Sequence, residues 1–254
     1  MRALTLLAGL FLITCISLLI SLLSGSVAIS WQELPAIIAG DADPLHSQVI
    51  LDLRWPRSLS AFTTGALLSL AGALLQVLLR NPLADPYVLG VSGGAASGAL
   101  LALLIGLGSL GMHSAAFGGA LFSMLLVFGL SHGSGSWTTN RLLLTGVVIA
   151  AGWGAVIGFL LALSPEQGLR GMLFWLMGDL SFATSPTPGL LVLLGGLLIA
   201  VMAGRPLNIL TRGEQTAASL GVNVLPLRRL IYLLASLLSA TAVTLAGSIG
   251  FVGL

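Results

Sequence analysis

Residues 59–96 read LSAFTTGALLSLAGALLQVLLRNPLADPYVLGVSGGAA, and this stretch decides what kind of protein the chain can be. Leu59–Leu79 carries no charged side chain. A helix rises about 1.5 Å per residue, so about 20 apolar residues cross the ~30 Å hydrocarbon core of a bilayer. The run then breaks off. Asn81-Pro82 stops a helix because the residue before proline is pushed out of the α region. Asp85 suits an N-cap and Pro86 a first helical turn, so a new helix restarts at once into the apolar run Val88–Leu107. The stretch reads as span, tight turn, span.

Outward from it lie Ala3–Leu23, Ala115–Leu130, Leu142–Leu163, Gly189–Gly204 and Leu230–Ile249, which makes seven candidate spans in all. The fourth and sixth are shorter and need local thinning or protein cover. Composition agrees: 57% of residues are hydrophobic and 7% charged, with a mean hydropathy of +1.08, outside the range of soluble domains. The first run has Arg2 ahead of it and Ser26-Val27-Ala28 behind it, as a signal peptide would. Its apolar core is longer than the roughly 7–15 residues of such a peptide, which favours a retained helix.

The charges are ten Arg, eight Asp or Glu and no Lys, almost all between the runs. With the N-terminus inside, the cytoplasmic segments hold Arg2, Arg80, Arg141, Arg205, Arg212, Arg228 and Arg229, and the outer ones only Arg54, Arg57 and Arg170, as the positive-inside rule asks. Without Lys there is no P-loop and no Schiff-base amine. Cys15 is the single cysteine, so no disulfide framework or paired-thiol site is expected. His46, His113 and His132 fall in separate loops without ligand spacing, so neither metal nor cofactor is expected. The pI of 9.3 reflects a surplus of two positive charges spread over helix ends, which makes no stripe for nucleic acid.

No Asp, Glu, Arg or His lies inside any of the seven runs. An intramembrane enzyme or an ion-coupled secondary transporter would need such groups at depth, so any energy for transport should come from a partner. Small residues recur every fourth position: Gly90, Gly94, Gly98, Ala102 and Gly106 in the third run, Gly146, Ala150, Gly154, Gly158 and Ala162 in the fifth, and Ser236, Ala240, Thr244 and Ser248 in the seventh. Such faces let backbones approach in lipid, which points to helix packing before pore lining.

The segment 205–229 is the most informative loop. Pro206 can open a short helix that Gly213 closes, and Glu214–Leu220 can form a second, with Gly221 as its stop and Pro226 beyond. Two short helices on the arginine-rich side make either a docking platform or an ordinary polar connection.

The string NPLADPYVLGVSGGAA, with Asn81, Pro82, Asp85, Pro86, Gly90, Ser92 and Gly94, resembles the signature of FecCD-type permeases, the family of type II ABC importers for ferric siderophores, haem and vitamin B12. Leu53-Arg54-Trp55-Pro56-Arg57 is similar to that family's LRxPR motif. Leu144–Val147, Phe174–Gly178, Leu207–Gly221 and Gly247–Leu254 resemble its later parts, so the likeness covers essentially the whole chain.

The resemblance implies an all-α polytopic bundle, with residues 1–254 forming one permease domain and 205–229 its cytoplasmic coupling loop. Family members have ten spans and continue past GFVGL, so the chain is expected to be a truncated permease entering an eighth helix, with a non-functional fragment as the alternative. It implies a homodimer in the bacterial inner membrane among lipid, cytoplasmic ATP-binding subunits, a periplasmic binding protein, and no chemistry or nucleic acid. The cargo would be a metal chelate, a ferric siderophore first and cobalamin or haem next. Arg212, Gly213, Glu214, Ala217 and Gly221 would dock the ATPase subunit. Arg54 and Arg57 would receive glutamates of the binding protein; from the residues alone they could equally snorkel to lipid phosphates.

Overall fold

A computed structural model describes residues 2–131, 139–180, 185–250 and 252–254. Twelve α-helices follow one another among the described residues, which contain no strand. They are α1 (Arg2–Leu23), α2 (Leu34–Ala39), α3 (Pro44–Gln48), α4 (Trp55–Leu79), α5 (Val91–Leu104), α6 (Ser109–Ser131), α7 (Thr139–Leu163), α8 (Glu166–Met177), α9 (Thr187–Met202), α10 (Gly204–Leu210), α11 (Glu214–Ser219) and α12 (Val224–Ala246).

Each of the seven apolar runs lies on a helix, but not with the expected bounds. Five helical stretches, built on α1, α4, α6, α7 and α12, are long and apolar enough to cross a membrane. The sixth run is α9, bent by 66° into α10. The fourth run is longer than expected because α6 starts at Ser109 and carries His113, whose Nδ1 donates to the Ser109 carbonyl at 2.6 Å. The third is shorter: α5 has 14 residues, about 21 Å, because Gly90 and Gly106 both take positive φ and end the helical path on either side.

The core is built around α4 and α12, which run antiparallel. A Cβ on Gly189 of α9 would meet both Thr63, near the start of α4, and Leu245, near the end of α12. At the other end Glu214 lies beside both Arg80, which caps α4, and Arg228 of the first turns of α12. Tyr232 pins α12 to α6 by donating to the Met124 carbonyl at 2.8 Å.

Small residues do the packing that hydrophobicity cannot do in lipid. Along α5 and α6, a side chain on Gly94 or on Gly119 would overlap the other's carbonyl. The row on α7 divides: Gly146 is buried and Ala150 abuts Gly90, whereas Gly154, Gly158 and Ala162 are exposed. On α12, Ser236 and Ala240 are buried.

The GSIGFVGL segment, expected to start an eighth helix, is not helical over its described residues. Gly247 turns the chain with φ +72°. Gly253 lies directly against Gly72 of α4.

Candidate functional site

Three places hold the residues that the sequence singled out. The first is the turn after α4. Arg80 ends the helix in a left-handed conformation, φ 48°, with its N–H donating to the Gln76 carbonyl. Asn81 Oδ1 accepts from the Leu83 N–H at 3.0 Å. Asp85 Oδ1 accepts from the Tyr87 N–H at 2.7 Å, and Pro86 follows it, as an N-cap pair should. What they cap is a short 3-10 turn, Pro86–Leu89, and not α5.

Gly90, at φ +71°, breaks that turn, and α5 begins only at Val91. By then the chain is deep in the bundle. The Gly90 carbonyl accepts from Ser123 Oγ at 2.7 Å, and Ser123 Oγ in turn accepts from Trp153 Nε1 at 2.8 Å. Gly94 faces Gly119, and Ser92 is half-buried beside it. Tyr87 Oη accepts from the Ile249 N–H at 3.0 Å, and Pro86 approaches Gly253. Two irregular segments, 81–90 and 247–254, therefore meet inside the helices, where protein can satisfy backbone groups that lipid could not. Ser123, Trp153 and the Tyr87–Ile249 bond were not found in the sequence. Serine, tryptophan and tyrosine in apolar runs carry no motif of their own.

The second place is the end of the bundle that carries α10 and α11. Pro206 lies in the first turn of α10, and Gly213 precedes α11 with φ +115°. Val224 already starts α12, so Pro226, Arg228 and Arg229 belong to that helix and not to the loop beyond α11. Gly221 closes α11 at φ +81°. Its N–H donates to the Ala218 carbonyl at 3.0 Å and that of Val222 to the Ala217 carbonyl at 2.9 Å, the pair of bonds of a Schellman turn.

The five expected docking residues divide here. Arg212 and Gly221 are exposed, and Gly213 is half-buried between them. Ala217 is fully buried. Glu214 turns to the bundle, where its Oε1 accepts from Arg228 Nη1 at 3.0 Å and lies 3.8 Å from Arg80. A hollow of about 490 Å³ beside this pair is lined by Gln76, Arg80, Asn81 and Thr211, and another of about 580 Å³ runs between Pro206, Gly221, Pro226 and Leu230.

The third place is the opposite end. Asp52 and Arg54 sit in a π-helical turn, Val49–Arg54, in which the Trp55 N–H reaches back to the Ile50 carbonyl. This wider turn absorbs Pro56, which lacks an N–H and would crowd a regular helix. Arg54 reaches across to α1. Nη1 donates to the carbonyls of Leu22 at 2.8 Å and Leu23 at 3.1 Å, and Nη2 to that of Val27 at 2.6 Å. Arg57 is exposed. The intervening segment is held by Ser30, whose capping box includes Glu33, and by His46 Nδ1, which donates to Glu33 Oε2 at 2.6 Å. These bonds hold the Glu33 carboxyl below its ordinary range, first through His46 and then through the Ser30 N–H. His46 lies in the short helix α3 and His113 within α6, neither in a loop; His132 lies outside the described residues. Among the described residues no group of three or more His, Cys, Asp or Glu could hold a metal ion.

Residues 13–254 match the FecCD transport family. The chain is 39% identical over 230 residues to the cobalamin import system permease protein BtuC of Halobacterium salinarum, covering 87% of this chain and 62% of that protein. It is 36% identical over 257 residues to the molybdate import system permease protein MolB of Haemophilus influenzae, covering 97% and 75%. The chain thus spans less than two thirds of the archaeal protein's length. A solved structure described as an inward-facing conformation of a metal-chelate type ABC transporter superposes with a TM-score of 0.86 at 33% identity, covering 98% of this chain and 78% of that one. A family match over nearly the whole chain and a shared fold at this identity make it a multi-pass membrane protein that belongs to the FecCD transport family.

Proposed function

We propose that the chain is the membrane-spanning subunit of an ATP-driven importer, moving a metal chelate across the inner membrane without making or breaking bonds itself. The observation that carries this reading is the α10–α11 platform. It is a pair of short helices with an exposed outer side, Arg212, Gln215, Leu220 and Gly221, braced by the ion pair of Glu214 with the buried Arg228. That is what a soluble motor subunit needs in order to push on a bundle.

In this reading a second copy completes the path and ATP-binding subunits sit under α10–α11, touching Arg212, Gly213 and Gly221 above the supporting Glu214 and Ala217. A binding protein delivers cargo at the Arg57 end, and Arg54 sets that surface by tying α1 to α4. The N-terminus, the 80–86 turn and the 205–229 segment face the cytoplasm, following the arginines. Transport is a switch between outward-open and inward-open packings, biased by ATP binding at the partner. A ferric siderophore, haem and cobalamin are all bulky chelates of the right class. Cobalamin is the cargo that the archaeal relative's name supports.

The test is co-expression with the cognate ATP-binding subunit, followed by uptake of radiolabelled cobalamin and of a ferric siderophore into proteoliposomes. ATP-dependent uptake of either establishes the reading and ranks the cargoes. Uptake that persists without ATP and collapses with an uncoupler would replace it with ion-coupled transport.

A further inference from the structure

Glu214 was expected on the docking surface; its part-exposed side chain faces the bundle. Its carboxylate is shared between guanidinium groups of two different elements: Arg228 of α12 at 3.0 Å and Arg80 of the α4 cap at 3.8 Å. The two contacts are unlike. The Arg228 side chain is 7% exposed and that of Arg80 is 46% exposed. At 3.0 Å and shielded from water, the Arg228 contact is a charge-assisted hydrogen bond that is expensive to break. The Arg80 contact is longer, wetter and screened, and can open and close freely.

Both arginines begin elements that matter. Arg228 lies in the first turns of α12, the most buried of the five long membrane-crossing stretches. Arg80 precedes the irregular segment 81–90, and that segment touches the segment after α12 through Tyr87 and Ile249. One carboxylate on α11 therefore contacts both the start of α12 and the arginine that precedes the 81–90 segment. Ala217, one turn further along α11, is fully buried and seats the same side of the helix against the bundle.

We propose that Glu214 is a positioning residue that passes displacement of α11 to α12 firmly and to the 81–90 segment loosely, and that it does not touch the ATP-binding subunit. The inference rests on the importer reading and deepens it. Its test uses the chain assembled with its ATP-binding subunit in nanodiscs, with two readouts: recovery of the ATP-binding subunit, and stimulation of ATP hydrolysis by the loaded binding protein. Glu214→Gln keeps the shape and removes the charge. It should leave recovery unchanged while stimulation falls roughly tenfold, a coupling loss of ordinary size. Glu214→Asp, which retains the charge, should restore most of the stimulation, and Arg80→Gln should give an intermediate loss.

Loss of recovery with Glu214→Gln would make Glu214 a direct contact and overturn the proposal. So would full stimulation in that variant. Should Glu214→Gln fail to fold, the exposed Arg80→Gln decides alone: undiminished stimulation would overturn the two-armed link. Failure of the unaltered chain to recover any ATP-binding subunit would instead overturn the importer reading, and this inference with it.

Discussion

Gly221 adopts φ +81° in open surroundings, where a side chain would meet nothing within 4 Å. Any penalty for substituting it is therefore backbone strain alone. Gly221→Val should cost about 1–2 kcal/mol and lower recovery of the ATP-binding subunit, while Gly221→Asn, which tolerates the left-handed region, should retain it. Equal recovery in both variants would detach the cap from docking. At the other end, Arg54 and Arg57 share a motif but not a role. Arg54→Ala strips the donor from three carbonyls around the end of α1 and should cost about 1–3 kcal/mol in detergent melts. Arg57→Ala should leave the melt within about 0.5 kcal/mol and instead slow binding-protein association at low salt, as a rim charge does. A slowed association with Arg54→Ala alone would reverse the assignment. The pair was legible as a motif because its spacing is local. Its division of labour was not, because the carbonyls that occupy Arg54 lie near residue 23, about thirty positions upstream, where no side-chain pattern marks them.

Among the elements, the seam between α5 and α6 offers the sharpest contrast. Gly94 meets the backbone of Gly119, while Gly118, its neighbour on α6, has open space around it. Gly94→Val should cost about 3 kcal/mol by overpacking and collapse the folded yield in size-exclusion profiles, whereas Gly118→Val should leave the yield unchanged. A tolerant Gly94 would mean that α5 and α6 can separate. The repeat of small residues on the third run announced a packing face there, though not α6 as its partner. The start of α5 could not be read the same way, because Val88–Leu107 is one continuous apolar run and hydropathy does not register the left-handed break at Gly90. In the segment 24–54, Glu33 supplies a pH response. Its carboxyl is depressed in the folded chain, so its stabilisation is complete above the ordinary value of 4.5 and is lost as pH falls through the lowered one. Limited proteolysis of this segment should accelerate as pH falls below the ordinary 4.5 and through the lowered value. Glu33→Gln should remove the pH dependence and leave cleavage fast at every pH; a retained pH dependence would assign it to another group.

For the whole molecule, the alternation of spans gives a direct test of orientation. In a Cys15→Ala background, cysteines placed at Arg212 and Asp43 should label from opposite sides of sealed vesicles. Labelling of both from one side would break the topology. The all-helical bundle and the family were legible because lipid demands long uncharged runs and the signature turn is local; the count of seven spans was not matched, since five helical stretches, or six with the bent pair α9–α10, are long and apolar enough to cross among the described residues. The antiparallel core of α4 and α12 was not legible, because it depends on residues about 150 positions apart meeting at Glu214 and Gly189. The same separation has a consequence for how the protein is made. Tyr87 and Ile249, which join the two irregular segments, are 162 residues apart. A ribosome adding about 5–20 residues per second delivers the second segment roughly ten to thirty seconds after the first. During that interval the Tyr87 hydroxyl waits for the backbone N–H that it will accept, whereas the Gly90 carbonyl meets Ser123 after only 33 residues. The seam between the two segments is therefore among the last parts of the bundle to close, well after α5 and α6 have come together.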